Sequence, residues 1–410
     1  MKSLSVVVTR LVAAAFPTRA RGRTAMLALV AIAIVTPAAP SFAGGLKRAA
    51  LADLHKSGVD RYLGKFKPAT SEPMGEWVKH TFDTLGGDGP MCINGTPFTA
   101  FSRARDPRKL MIVLDGGGAC WQGFYACSIT ADDAPPRARG YFADNFDAGG
   151  GQVIENPLTD WSIVYLSYCD GSTFNGDNTV VDPSFPAGGV RYHRGARNVT
   201  AGIDLAKELF RDAKKILLTG YSAGGYGVAG VAPFVVRFSF GNSPQLFVLN
   251  DSGPGLVNLA EPSDVQARLH DWAYQQFVPS TCTDCTTDKQ PAELIEWMLE
   301  NDNRVRAGLV TSDGDSTIGG FYLRLPTPLD YRNLLLNTHG PINDHFPRRY
   351  KRFIFSGTTH TATETNLFYT TQIDGVPLYE WTGNFVDHRK GWKDLVDDFE
   401  PGSPSGAFVE

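Results

Sequence analysis

Several absences narrow the reading of this chain before any motif is considered. After the first 43 residues no apolar run reaches membrane-spanning length, so nothing in the remainder is expected to cross a bilayer. There is no internal repeat. The single low-complexity stretch, Pro401-Gly402-Ser403-Pro404-Ser405-Gly406, reads as a frayed tail over residues 401–410. Basic excess is also missing: the formal net charge is −4, which speaks against nucleic acid as a partner. Cys282-Thr-Asp-Cys285 has metal-knuckle spacing but no second pair nearby, so a local disulfide is expected there and no metal. The run Asp115-Gly116-Gly117-Gly118 is not followed by Gly-Lys-Ser/Thr, so it is not a phosphate-binding loop. Asp313-Gly314-Asp315 lacks the remaining ligand spacing of a calcium loop. No cofactor is implied.

What is present points to an exported globular protein. With 410 residues and 42% hydrophobic content the chain can bury a large core, and the expected organisation is one domain over residues 44–400 with loop insertions. The first residues carry Lys2, Arg10, Arg19, Arg21 and Arg23 and no acid. The apolar run Met26 to Val35 and the small-residue segment ending Ser41-Phe42-Ala43 follow, the pattern of a secretory leader cleaved after Ala43. Its removal would take the charge from −4 to −9. The destination is therefore the periplasm or the exterior. Six cysteines, Cys92, Cys120, Cys127, Cys169, Cys282 and Cys285, suit three disulfides in such a compartment, and spacing alone leaves fifteen pairings open.

The richest segment runs from Lys214 to Gly225. The apolar strand Ile216-Leu217-Leu218 feeds Gly220-Tyr221-Ser222-Ala223-Gly224 and then a helix start, the context in which G-x-S-x-G is a nucleophile elbow. Small residues on both sides of Ser222 allow the sharp turn, and the Ala223 amide at the helix N-terminus faces a developing oxyanion. Other buried strands are expected at Leu110–Leu114, Ser162–Leu166, Leu246–Leu249, Ala307–Val310 and Arg352–Phe355. A helix with apolar residues at helical spacing is expected over Asn198 to Arg211, with Asn198 as a capping residue, and another around Ala292 to Asn301. Alternating strands and helices imply right-handed crossovers and a mostly parallel sheet. Residues 124–190, rich in Gly, Asp and Pro, read largely as surface loops over the site.

Polar residues cluster just past the C-terminal ends of these strands, where α/β sheets build sites, in the order serine, acid, histidine. A serine nucleophile needs a base, and His360, after a strand and a Ser-Gly turn, is better placed than His193, His345 or His388. For the acid that orients the base, Asp315, Asp313 and Asp251 all stand at strand ends. The loop Asp115 to Trp121 has the form of an esterase oxyanion loop. Trp121, Phe124 and Tyr125, close behind it, are candidates for a sugar platform or an acyl-pocket wall, with at least one expected in the core.

Four blocks together, Leu114-Asp115-Gly116-Gly117-Gly118-Ala119-Cys120, Tyr168-Cys169-Asp170-Gly171-Ser172-Thr173-Phe174-Asn175-Gly176-Asp177, Tyr192-His193-Arg194-Gly195 and Gly220-Tyr221-Ser222-Ala223-Gly224-Gly225, resemble the pectin acetylesterase family of α/β-hydrolase-type carboxylesterases. The resemblance implies a triad of Ser222, Asp315 and His360, and oxyanion amides from Gly117, Gly118 and Ala223. It also implies disulfides Cys92–Cys169 and Cys120–Cys127, which leave Cys282 with Cys285. The activity it implies is serine ester hydrolysis through an acyl-enzyme, with O-acetyl removal from a polysaccharide such as pectin as the first expectation. An esterase for longer acyl chains or polyesters is the alternative, and a binding protein that has lost catalysis a more distant one. The negative charge opposes an ionised polyuronate unless a local basic groove overrides it.

Overall fold

The computed structural model describes residues 44–398, so the leader expected over residues 1–43 and the tail expected over 401–410 lie outside the described residues. The apolar runs pair into one ten-stranded sheet. Its strands in chain order are β1 (Pro68–Met74), β2 (Trp77–Phe82), β3 (Thr99–Arg103), β4 (Asp106–Leu114), β5 (Trp161–Leu166), β6 (Lys215–Tyr221), β7 (Gln245–Asp251), β8 (Val305–Ser312), β9 (Tyr350–Phe355) and β10 (Leu395–Val396). In space they run β1-β2-β3-β5-β4-β6-β7-β8-β9-β10. The first three pairings are antiparallel, and all from β5 onward are parallel.

The continuous apolar character of the central strands follows from burial on both faces. Along β4, β6 and β7, Leu110, Ile112, Leu114, Ile216, Leu218, Leu246 and Val248 point into one core. The alternate residues Met111, Val113, Leu217, Phe247 and Leu249 point into the other. In register, Leu217 sits between Met111 and Phe247, so each layer of side chains continues across strands. Helices Gly195–Leu209, Ala232–Phe240, Glu293–Asn301 and Pro328–His345 cover the first face. Leu378–Val386, with Trp381 and Phe385, closes the second.

Two expectations need correction. The helix expected from Asn198 begins three residues earlier, at Gly195. Asn198 does not cap it. It is buried inside the helix, where its amide accepts from Met91 N–H and donates to Met91 C=O, both at 3.0 Å, clamping a distant segment. Residues 124–190 are also less of a surface loop than their composition implies. The hairpin Asn145–Gly149/Gln152–Glu155 is exposed, but Tyr168 to Gly176 is buried against the site.

Candidate active site

At the C-terminal end of β6 the chain turns into the short helix Ala223–Val228, with Ser222 at φ 55° and ψ −119°. A non-glycine residue there carries strain on the order of 1–3 kcal/mol. The packing leaves no alternative path: a Cβ on Gly224 would lie 2.0 Å from the Leu114 carbonyl oxygen, and the Ser222 amide is held by the Asp251 carbonyl at 2.9 Å. β4, β6 and β7 thus fix the serine between them.

β8 ends at Ser312, and Asp315 follows as N-cap of the helical turn Ser316–Tyr322. Its Oδ1 accepts from the amides of Thr317 (3.0 Å) and Ile318 (2.9 Å), which fixes the carboxylate and leaves Oδ2 to accept from His360 Nδ1 at 2.8 Å. That bond places the proton on Nδ1 and an acceptor lone pair on Nε2. Nε2 is buried and has no hydrogen-bond partner among the described residues. Burial alone would lower the imidazole pKa. The hydrogen bond and charge of Asp315, with the charges of Asp251 and Glu364, outweigh it and raise the His360 pKa above the usual imidazole value.

The structure separates the three aspartates by what they bind. Asp313 is ion-paired with Arg332 and accepts from Gly357 N–H. The Asp251 carboxylate takes the amides of Ala362 (2.9 Å) and Thr363 (2.7 Å) and the hydroxyls of Thr363 and Ser252, so it ties the loop after His360 to the end of β7. Neither contacts an imidazole. The rival histidines are engaged elsewhere: His193 with the Asp170 carbonyl, His345 with Glu296, and His388 edge-on to Phe247.

Opposite Ser222 the glycine loop continues into the hairpin Gly118–Trp121/Phe124–Cys127, closed by the Cys120–Cys127 disulfide. Gly118, at φ 77°, has no room for a side chain: a Cβ would stand 1.9 Å from the Ala126 carbonyl oxygen. The Tyr-Cys-Asp-Gly block braces this loop. The Tyr168 ring stands against Gly117, Cys120 N–H donates to the Gly171 carbonyl at 2.8 Å, and Cys92–Cys169 anchors the block to the segment before β3. Asp170, wholly buried, accepts from the amides of Ser172 and Phe174 and so holds a turn in which Thr173 and Phe174 both have positive φ. Burial pushes its carboxyl up to about 6. Cys282–Cys285 completes three disulfides, the pairing the resemblance implies.

A cavity of about 290 Å³ gathers the pieces. Gly117, Gly118, Ser222, Ala223 and His360 line it together with Phe124, Ile318, Phe321 and Tyr322. Of the aromatic candidates only Phe124 reaches it. Trp121 is core, stacked on Phe124 at 4.1 Å and over 98% buried, and Tyr125 turns away to bond Asp182 and Ser184. Tyr226, Tyr322 and Glu364 escaped the sequence reading; Glu364 carries no motif, and its one signal is its place four residues after His360. Among the described residues no group of side chains has the makings of a metal site, and no helix is long and apolar enough to cross a membrane.

Comparison with known proteins bears on the fold and the family. The solved structure of the Wnt deacylase Notum from Drosophila shares the fold, with a TM-score of 0.55 at 16% identity over 75% of this chain and 93% of that one. Pectin acetylesterase 11 of Arabidopsis thaliana is 39% identical over 143 residues, 33% of this chain; the match spans only 35% of that relative's length. The pectinacetylesterase family profile matches residues 82–291, just over half of the sequence, from β2 through the elbow to the segment before the helix Glu293–Asn301, and the chain therefore belongs to the pectinacetylesterase family.

Proposed function

We propose that this protein is an exported serine carboxylester hydrolase that removes O-acetyl groups from a polysaccharide such as pectin. The observation that carries the reading is the unpartnered Nε2 of His360, oriented by Asp315 at 2.8 Å and lining one cavity with Ser222. Ser222 Oγ attacks the ester carbonyl while His360 Nε2 takes its proton. The amides of Gly117, Gly118 and Ala223 stabilise the oxyanion, where each well-placed donor lowers the barrier by about 3 kcal/mol. His360 then returns the proton to the sugar oxygen as the C–O bond breaks. A water molecule, deprotonated by the same Nε2, attacks the acyl-serine and releases acetate. Family membership and three disulfides support action in an oxidising compartment outside the cytoplasm.

One observation favours a longer acyl group. A second cavity of about 80 Å³, lined by Val257, Val265, Leu269 and Trp272, shares Thr173, Tyr226 and Tyr322 with the first. The two tyrosine rings, 5.2 Å apart, stand between the chambers. As they stand, acetyl fits and a long chain requires them to part. Hydrolysis of p-nitrophenyl esters from acetate to palmitate, beside acetate release from acetylated pectin, tests both readings. Acetate preference supports deacetylation, a long-chain optimum supports the lipid-type reading, and turnover that persists in Ser222→Ala would refute the mechanism.

A further inference from the structure

A second cleft, also about 290 Å³, is lined by the residues directly before Ser222 and before the glycine loop. Asp115, Asp132, Arg137, Arg139, Tyr221 and Glu364 line it, and it shares no lining residue with the apolar cavity. Chain connectivity places it beside the nucleophile. Tyr221 directly precedes Ser222, Asp115 directly precedes the glycine loop, and Glu364 follows His360 by four residues. Tyr221 packs toward the second core, whereas Ala223 and Tyr226 pack toward the first, so the residues on either side of Ser222 line different cavities.

The cleft contains groups that the protein itself does not satisfy. Glu364 is 93% buried; its Oε1 accepts from the Thr361 hydroxyl, but Oε2 has no partner among the described residues. A buried carboxylate oxygen left unpaired is costly and calls for a donor. At the rim, Arg137 and Arg139 are exposed, and neither guanidinium makes a hydrogen bond or salt bridge among the described residues, although the Arg139 charge acts on the Glu364 carboxyl. The floor is a polar chain in which Tyr165 donates to Asp132 at 3.1 Å and Tyr221 donates to Asp115. Burial holds the Asp115 and Glu364 carboxyls well above the carboxylate range, so each carries a proton over part of the acid range and can donate as well as accept. Arg137 and Arg139 set two positive charges at the rim of a cleft whose acids are Asp115, Asp132 and Glu364, although the chain as a whole is acidic.

Guanidinium forks match carboxylates, and alternating carboxyl and phenol groups match vicinal hydroxyls. We infer that this cleft is the alcohol-side subsite, in which Arg137 and Arg139 grip the carboxylate of a hexuronate residue while Glu364 Oε2 accepts from a hydroxyl of the same chain. The inference rests on the deacetylase reading and deepens it: the apolar cavity holds the acyl group, and the polar cleft selects an acidic glycan over a neutral one.

The test uses the full mature protein in two arms. In the first, the apparent KM for acetylated oligogalacturonate is compared with that for acetylated xylo-oligosaccharide and for p-nitrophenyl acetate. Arg137→Ala/Arg139→Ala should raise the uronate KM about ten-fold or more and leave the neutral glycan and p-nitrophenyl acetate within two-fold; Arg137→Lys/Arg139→Lys should recover part of the loss. In the second, unacetylated trigalacturonate, galacturonate monomer and sodium acetate are titrated calorimetrically into Ser222→Ala protein. The trimer should bind, the double alanine variant should lose that binding, and free acetate should not compete. Binding of the trimer without any deacetylation would keep the subsite and refute the proposed function. Deacetylation of the uronate with an unchanged KM in the double alanine variant would refute the subsite and leave the function standing. Equal losses on uronate, xylan and p-nitrophenyl acetate would likewise overturn the subsite, because the arginines would then be acting on the fold.

Discussion

The apolar cavity lined by Phe124, Ile318, Phe321 and Tyr322 and the cleft lined by Asp115, Arg137, Arg139 and Glu364 have the same volume, about 290 Å³, and opposite chemistry. The walls of the first come from the disulfide-closed hairpin and the turn Ser316–Tyr322. Those of the second come from a proline-rich loop and the ends of β4, β5 and β6. An ester has two ends; Ser222 lines the first cavity, and the residue before it, Tyr221, lines the second. Size alone says nothing about which end goes where. Polarity does, because an acyl methyl makes no hydrogen bonds and a sugar makes many.

The largest effect should come from removing the Ser222 hydroxyl. Ser222→Ala should lower kcat/KM for p-nitrophenyl acetate by on the order of 10⁵–10⁶-fold, while trigalacturonate binding in the polar cleft persists. Next, Asp315→Asn should cost about 10⁴-fold through the wrong imidazole tautomer. It should also shift the pH profile. On the proposed mechanism the neutral imidazole is the base and its pKa is raised, so the acid limb of kcat/KM should lie above the usual imidazole value; without the carboxylate that limb should move to lower pH. Asp251→Ala supplies the contrast. Its carboxylate anchors the loop after His360, so the loss should read as about 3 kcal/mol of stability in a denaturant titration.

A third effect acts on the apolar side alone. Replacing Cys120 and Cys127 with serine opens a loop closed across a sequence separation of 7 and should cost about 2 kcal/mol of stability. Esterase activity should fall roughly ten-fold as the oxyanion amides lose alignment, on the scale of misplacing a catalytic group, with trigalacturonate affinity unchanged. The smallest effect is expected from Tyr322→Ala, which joins the two apolar chambers. It should raise the hexanoate-to-acetate ratio of p-nitrophenyl ester hydrolysis about ten-fold, in line with the 1–3 kcal/mol that a methylene or two is worth in an apolar pocket. An unchanged ratio would mean the second chamber never receives acyl groups.

The sequence makes the sheet and the serine legible because both are written locally: an apolar run, then a tight small-residue turn. Choosing among Asp251, Asp313 and Asp315 is beyond it. All three end strands, and they differ only in their partners, a loop backbone, Arg332 and His360, which the fold brings from elsewhere in the chain. Asn198 misled for the same reason, since its residue type fits a helix cap while its hydrogen bonds go to Met91. The polar cleft left no motif, because Arg137, Tyr221 and Glu364 are neighbours only in three dimensions.

The bond between Cys120 and Cys127 also has a bearing on when the molecule becomes active. The elbow that presents Ser222 depends on glycine packing and backbone hydrogen bonds, which need no oxidant. The hairpin that carries Gly118 is closed by a sulfur bridge that a reducing cytoplasm does not sustain. On the proposed mechanism, a newly made chain would thus hold Ser222 in place before it holds the amides that face it. On the proposed function, oxidation of Cys120 and Cys127 would then be a late step of assembly, and a reduced chain would work at roughly a tenth of the full rate.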